Sequence, residues 1–471
     1  MLALLRECLL SVALASPAGG GASPEVIDVP SGGTSGGDER LTQDDPQRCA
    51  RRGGKGRRGG KNGREGGEGG EGGEGGQADE VENAEPPLDC LNYRTMVDRE
   101  TGEKRVVFRR NRVVALPQVL QDPAFGTIFG LRGRYVNRVP GSSFDRIQLD
   151  LAARISTRRI QDHDLRLQLR DLLGRDEVIF VLGGIDIDPA FPYLGVANNK
   201  RLVGVDFRDP RYALMLRTFL GSVAYAEPVF ELPATVERPR GVLRWFAGAT
   251  FAVDRLEAYE GSLFAEERPE EEGLQRRGYY TGGLQWDRRD NEWHPTTGSF
   301  HEASWSLAGP WAGGSRSWSR FSLLVRWYRA LGTDKLVFAQ AAIVDALIGI
   351  PPLIPMGQVG GMEPVEGLGG RFIGRGFYRR RFVGDTKMAL MTELRYTPID
   401  LKLLRWSVGL GVRAFLDTAK VFQPNESLHA NIHPSGGGGL YILWDRFFVL
   451  RMDIGYSAEG AGLYLAGGHP F

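Results

Sequence analysis

The chain has 471 residues, of which 42% are hydrophobic, and a net charge of +1, so it holds material for one large domain or two ordinary ones and is not highly charged overall. No run of about 18 apolar residues occurs; the nearest approach, residues 336–355, is interrupted by Gln340, Asp345, Pro351, Pro352 and Pro355, which excludes a helical membrane protein.

Residues 1–15 are a short apolar segment in which Ala13-Leu14-Ala15 offers a small-residue cleavage site, and they read as an export signal. The signal is imperfect, because its positive region is Arg6 alone, offset by Glu7. Cys8 would leave with it, while Cys49 and Cys90 would enter an oxidising compartment, where a disulfide between them and two separate thiols are both open.

Residues 16–86 are low in complexity and read as a disordered linker. The basic block Arg48, Arg51, Arg52, Lys55, Arg57, Arg58, Lys61 and Arg64 is followed by a Glu-Gly-Gly repeat through Glu65, Glu68, Glu71 and Glu74. Such a composition cannot bury enough apolar area to offset its ordering entropy. With no aromatic interleaved, the basic block fits a solvated, self-attracting tail better than a nucleic-acid surface. The serine-hydrolase-like string Gly33-Thr34-Ser35-Gly36-Gly37 lacks the strand, turn and helix that its chemistry needs, and Gly59-Gly60-Lys61-Asn62 is an incomplete phosphate loop.

After a short lead-in, 87–115, the chain from 116 onward becomes a succession of stretches with period-two character. They are 127–139, 144–157, 160–172, 177–187, 201–207, 212–225, 242–256, 279–288, 299–307, 317–331, 335–348, 385–396, 405–422, 437–443, 447–456 and 462–470, sixteen in all. Most are longer than the soluble-strand norm of about 5 to 6 residues and suit tilted strands crossing a bilayer. In one of the clearest, Phe321, Leu323, Val325 and Trp327 share an apolar face while Ser322 and Arg326 fall on the other, as expected with lipid outside and water inside. Trp245, Trp286, Trp305, Trp311, Trp318, Trp406 and Trp444 sit near strand ends, where amphipathic rings favour bilayer interfaces over a soluble sandwich. The expected fold is therefore all-β, a sixteen-stranded antiparallel transmembrane barrel.

No catalytic or metal constellation emerges, and neither enzyme activity nor a cofactor is expected. His429 and His433 have a helical ligand spacing but lie in a loop without a third ligand, His163 stands beside Asp162 and Asp164 on a strand, and Asp287 and Asp290 read as charged ends of a turn.

The connector between 348 and 385 breaks the rhythm. It holds Gly357, Gly360, Gly361, Gly367, Gly369 and Gly370, and long loops in compact domains are usually functional. It culminates in Gly369-Gly370-Arg371-Phe372-Ile373-Gly374-Arg375-Gly376-Phe377, followed by Gly384-Asp385 and the strand Glu393-Leu394-Arg395-Tyr396. Earlier come Leu116-Pro117, Asp122-Pro123 and Gly126, then Asp287-Arg288-Arg289-Asp290 with Pro295-Thr296-Thr297-Gly298; later come Phe415-Leu416-Asp417 and the ending Gly467-Gly468-His469-Pro470-Phe471.

In this order the strings resemble the signature of the bacterial surface antigen superfamily, which includes barrel-assembly, translocation-and-assembly and two-partner secretion transporters. The resemblance spans 116–471. It implies an outer-membrane barrel whose long sixth extracellular loop folds into the lumen, where the motif Arg375, Gly376 and Phe377 meets carboxylates on the inner wall. Strand faces support the contact independently, since Arg413, Phe415 and Asp417 share one face and Met391, Glu393 and Arg395 share another on the preceding strand. Arg375 is expected to pair with Asp417, with Glu393 as second acceptor, while Arg379, Arg380 and Arg381 point into lumenal water.

Phe471 is expected to end a terminal strand that signals the chain's own insertion by the outer-membrane assembly machinery. Departures from the pattern are Gly374 in place of an aliphatic residue, Ala419 in place of a glycine after the Asp motif, and no polypeptide-transport repeat before the barrel. The implied function is insertion or translocation of client polypeptides at the outer membrane, through a separate periplasmic partner or through edge pairing at the seam between the first and last strands; the alternative is a passive passage for lipid or small solutes.

Overall fold

A computed structural model describes residues 93–97, 104–108, 111–122, 126–138, 145–197, 206, 209–235, 239–403, 406–423, 426–427, 429–444 and 448–471. The export segment, the 16–86 linker and all the cysteines lie outside the described residues. Two short strands, β1 (Tyr93–Val97) and β2 (Lys104–Phe108), form a separate antiparallel pair.

The strands that follow are long: β3 (Asn111–Asp122), β4 (Gly126–Arg138), β5 (Asp145–Ser156), β6 (Gln161–Arg170), β7 (Val178–Pro192), β8 (Ala213–Leu232), β9 (Gly241–Ala258) and β10 (Gly273–Asp287). After them come β11 (Gly298–Ala308), β12 (Trp318–Ala330), β13 (Leu336–Gly349), the two-residue strands β14 (Gln358–Val359) and β15 (Val365–Glu366), then β16 (Thr386–Leu403), β17 (Trp406–Phe422), β18 (His433–Trp444), β19 (Phe448–Ser457) and β20 (Gly460–Gly467). Among the described residues, all strands but β1, β2, β14 and β15 lie in one 16-stranded sheet in chain order from β3 to β20. Because β14 and β15 pair only with each other, β13 pairs directly with β16, and residues 350–385 leave the sheet and return to it.

The polarity of the sheet is the reverse of a water-soluble one. On β12, Phe321, Leu323 and Trp327 are 42%, 37% and 47% exposed, whereas Arg320 and Ser322 are buried. The cross-strand register keeps the faces apart: Leu323 lies opposite Val344 and Ser322 opposite Asp345 on β13. Period-two side-chain direction turns this alternation into an apolar outer face and a charged inner one. Among the described residues no helix is long and apolar enough to cross a membrane, which bears on helices alone.

The sequence-based strand list differs from this sheet in two places. Residues 111–122, assigned to the lead-in and barrel entry, are strand β3, while 201–207 lie almost wholly outside the described residues. Trp245, Trp305 and Trp311 are exposed, but Trp318 and Trp444 are buried, so the interfacial reading does not extend to those two. Trp318 instead packs on Tyr279 with ring centroids 5.3 Å apart.

Residues 350–385 line the inner face. A helical turn, Leu353–Met356, joins Phe191, Leu214, Phe264 and Trp318 in one apolar cluster. Further on, Val359, Leu368, Ile373, Phe377 and Phe382 pack against Ala339, Ala341, Ala389, Met391 and Ala419 of the strand walls. Small alanines at those wall positions leave room for the aromatic rings of the segment.

Candidate functional site

Arg375 lies at the centre of the buried segment and is itself fully buried. Its Nε donates to Asp417 Oδ2 at 2.9 Å, its Nη2 to Asp417 Oδ1 at 2.9 Å, and its backbone N–H to Asp417 Oδ2 at 3.1 Å. Its Nη1 donates to Glu393 Oε1 at 2.5 Å and stands 3.6 Å from Asp453 Oδ2. The guanidinium also lies over the Phe415 ring, 3.6 Å from its centroid. Period-two direction brings this about: Glu393, Asp417 and Asp453 occupy inward positions of β16, β17 and β19. Burial opposes the Arg375 charge, but Glu393 and Asp417 outweigh it and hold the guanidinium more firmly protonated than usual.

The carboxylates are shared with cations on the walls. Arg395 Nε donates to Glu393 Oε2 at 2.8 Å, Arg413 Nε to Asp453 Oδ1 at 2.7 Å, and Arg451 Nη1 also bonds Asp453. The result is a buried network in which Glu393 and Asp453 each serve more than one guanidinium. Single removals from such a network leave uncompensated charge and cost about 3–5 kcal/mol.

Gly376 brings the segment against the β19–β20 hairpin. It has φ 112°, and a Cβ there would stand 2.7 Å from the Tyr456 carbonyl carbon, so only glycine fits. The opposing Gly455 is equally bare, since its Cβ would meet the Arg375 carbonyl carbon at 2.7 Å. Tyr464 OH then accepts from Gly376 N–H at 3.0 Å and donates to the Phe377 carbonyl at 3.0 Å. Phe377 packs edge-on to Phe382, and the His433 ring stacks on Phe382 with centroids 4.0 Å apart. His433 opens β18 and buttresses the motif; among the described residues no group of His, Cys, Asp and Glu is placed to hold a metal.

Arg379 and Arg381 do not face water, contrary to the sequence-based expectation. Arg379 Nη1 donates to Asp188 Oδ2 at 2.7 Å and its Nε to Glu366 Oε1 at 2.7 Å, while Arg381 holds both carboxylate oxygens of Glu459 at 2.8 Å. Arg380 is mostly buried as well, 3.7 Å from Glu366. At the other end of the segment, Gly360 N–H donates to Asp345 Oδ2 at 2.8 Å, with Lys387 Nζ 2.9 Å from Asp345 Oδ1, and Met362 N–H donates to Glu302 Oε1 at 2.7 Å. Sequence reasoning placed Arg375, Asp417 and Glu393 and missed Asp453, Asp188, Glu459 and Tyr464. For Asp453 a signal existed, since it shares a strand face with Arg451.

Phe471 does not extend the last strand. β20 ends at Gly467, Gly468 turns with φ 79°, and Phe471 is buried with its ring 5.2 Å from the Arg395 guanidinium, whose Nη2 donates to the Phe471 carbonyl at 2.9 Å.

A segment buried on the inner face of an inverted-polarity sheet, pinned by an Arg-Gly-Phe motif, invites comparison with known families. The model of the Omp85 superfamily domain matches residues 251–464. This stretch resembles an Omp85 superfamily domain. The match takes in the whole clasp from Arg375 to Tyr464. Solved structures similar to the chain include BamA from Haemophilus ducreyi lacking POTRA domains 1–3, with 15% identity over 81% of this chain and 76% of that one and a TM-score of 0.47. CdiB from Escherichia coli has 12% identity over 82% and 69% of the two chains and a TM-score of 0.48. CdiB from Acinetobacter baumannii has 11% identity over 82% and 66% and a TM-score of 0.45. No curated protein matches the sequence. The match to the Omp85 superfamily domain places the protein in the bacterial outer membrane and, at the level of the family, points to protein insertion or translocation there.

Proposed function

We propose that the sheet closes into a sixteen-stranded transmembrane barrel, that residues 350–385 are its sixth extracellular loop folded into the lumen, and that the barrel assists insertion or translocation of client polypeptides. The observation that carries the reading is the Arg375 clasp, which ties an Omp85 loop motif to β16, β17 and β19 inside a buried charge network.

Closure is supported by contacts between the two ends of the sheet. Ile128 of β4 and Leu465 of β20 belong to one apolar cluster, and Arg132 Nη1 of β4 lies 2.8 Å from where a Cβ on Gly467 would be. A passive pore is the weaker reading, because the segment occupies the inner face with apolar clusters and ion pairs along its length. In this reading a separate periplasmic partner delivers the client.

Depletion followed by quantification of the outer-membrane proteome tests the proposal. Selective loss of particular barrel or surface proteins is expected; an unchanged proteome with altered permeability would overturn it in favour of a passage.

A further inference from the structure

The turn 288–297 between β10 and β11 is built to hold its shape. Asp290 Oδ1 accepts from Thr296 N–H at 2.9 Å and Thr297 N–H at 3.1 Å, and Asn291 Oδ1 accepts from Trp293 and His294 N–H, each at 2.8 Å. These side-chain acceptors replace backbone partners, as Asx-type turns do. The turn presents Glu292, Trp293 and His294 as a rigid tip.

The tip touches elements far from it in the sheet. Arg170 Nη2 of β6 donates to Glu292 Oε2 at 3.0 Å, and the Arg134 guanidinium of β4 lies 3.9 Å from the Trp293 ring centroid. His294 Nδ1 is 2.9 Å from His469 Nε2, just beyond β20, and both imidazoles pack on the Tyr441 ring of β18. β10 and β11 lie midway along the sheet order, whereas β4 and β20 lie near its two ends. One turn thus spans from the middle of the sheet to both ends.

We propose that this turn is a strap across the mouth of the barrel, and that the His294–His469 contact is an acid-sensitive latch between it and the last residues of the chain. The proposal rests on the barrel reading for the compartment it faces, the periplasmic one, and on the contacts alone for the strap itself.

The groups facing His469 fix the direction of the effect. They are Arg395 of β16, Arg413 of β17, Arg451 of β19, Tyr441 of β18 and His294 of the turn. Burial first, and then the charges of Arg395, His294, Arg413 and Arg451, hold the His469 imidazole well below the usual histidine range. The latched state therefore binds fewer protons than the released one. Latching is complete above the free histidine pKa of about 6.5 and weakens by up to about tenfold per pH unit below it.

Carbethoxylation of His294 in the full-length protein in detergent, read by mass spectrometry at matched pH in the wild type and in His469→Gln, tests this, with heat-dependent gel mobility confirming that both are folded. At about pH 7.5, His294 is expected to react far more slowly in the wild type than in the variant; towards about pH 5 the wild-type to variant ratio should rise, by up to about tenfold per unit, until the two rates meet. A ratio that stays constant with pH, or equal rates throughout, would overturn the latch, and His469→Asn takes the place of the glutamine variant should that one fail to fold. Loss of the mobility shift in the wild-type protein would count against the barrel reading instead.

Discussion

Arg375 sits where a guanidinium is worth more than any other cation. Its fork meets both oxygens of Asp417 while Nη1 remains free for Glu393, and a lysine could supply neither the planarity nor the reach for both. Arg375→Glu places an anion among Glu393, Asp417 and Asp453, so a loss of about 3–5 kcal/mol is expected from breaking a buried pair. The check is the urea midpoint of the compact band on unheated gels. Adding Asp417→Arg to it restores an opposite pair at the same two positions and should recover part of the loss. A double variant no more stable than Arg375→Glu would dismiss the specific pair.

At the scale of the element, the 350–385 segment is held by backbone fit as much as by charge. Gly376→Ala sets a methyl against Tyr456 at a positive φ, and should lift the motif from the β19–β20 hairpin. Tyr464→Phe keeps the ring but removes a donor and an acceptor, and should cost about 1–3 kcal/mol for the buried groups left unpaired. Protease nicking within 350–385 reads both outcomes; resistance equal to wild type in both variants would show that the hairpin contact does not hold the segment. Much of this element was legible in the sequence, because the Arg-Gly-Phe motif and the period-two carboxylates identify their own faces. Arg379–Asp188 was not legible, since 191 residues separate the partners and nothing local announces the contact. Two of the departures from the family pattern also made sense only in space: Gly374 is left-handed with φ 73°, and a Cβ on it would stand 3.8 Å from the Ala419 Cβ. The conformation that calls for glycine at 374 and the methyl at 419 are neighbours. The break between the last strand and Phe471 was not legible, because a strand pattern carries no mark of the turn at Gly468.

For the whole molecule, the question is which solvent the outer face meets. Apolar alternation marked the sheet in the sequence, and in the structure large apolar side chains are exposed from β4 through β20, Phe129, Phe219, Phe251, Leu390 and Ile454 among them. In water such a surface would promote association, whereas in hydrocarbon it is the favourable arrangement and the charges must turn inward. Depth separates these cases. Leu323 lies in the middle of β12 and Leu331 just past its end, with comparable exposures of 37% and 41%. In a bilayer, Leu323→Arg should cost about 2–4 kcal/mol and Leu331→Arg about 0–1 kcal/mol, because an arginine near the interface keeps its head group in water. Urea unfolding in lipid vesicles, followed by the compact gel band, measures both. Equal small costs at the two sites would mean that the outer face does not meet hydrocarbon, whatever the fold of the strands.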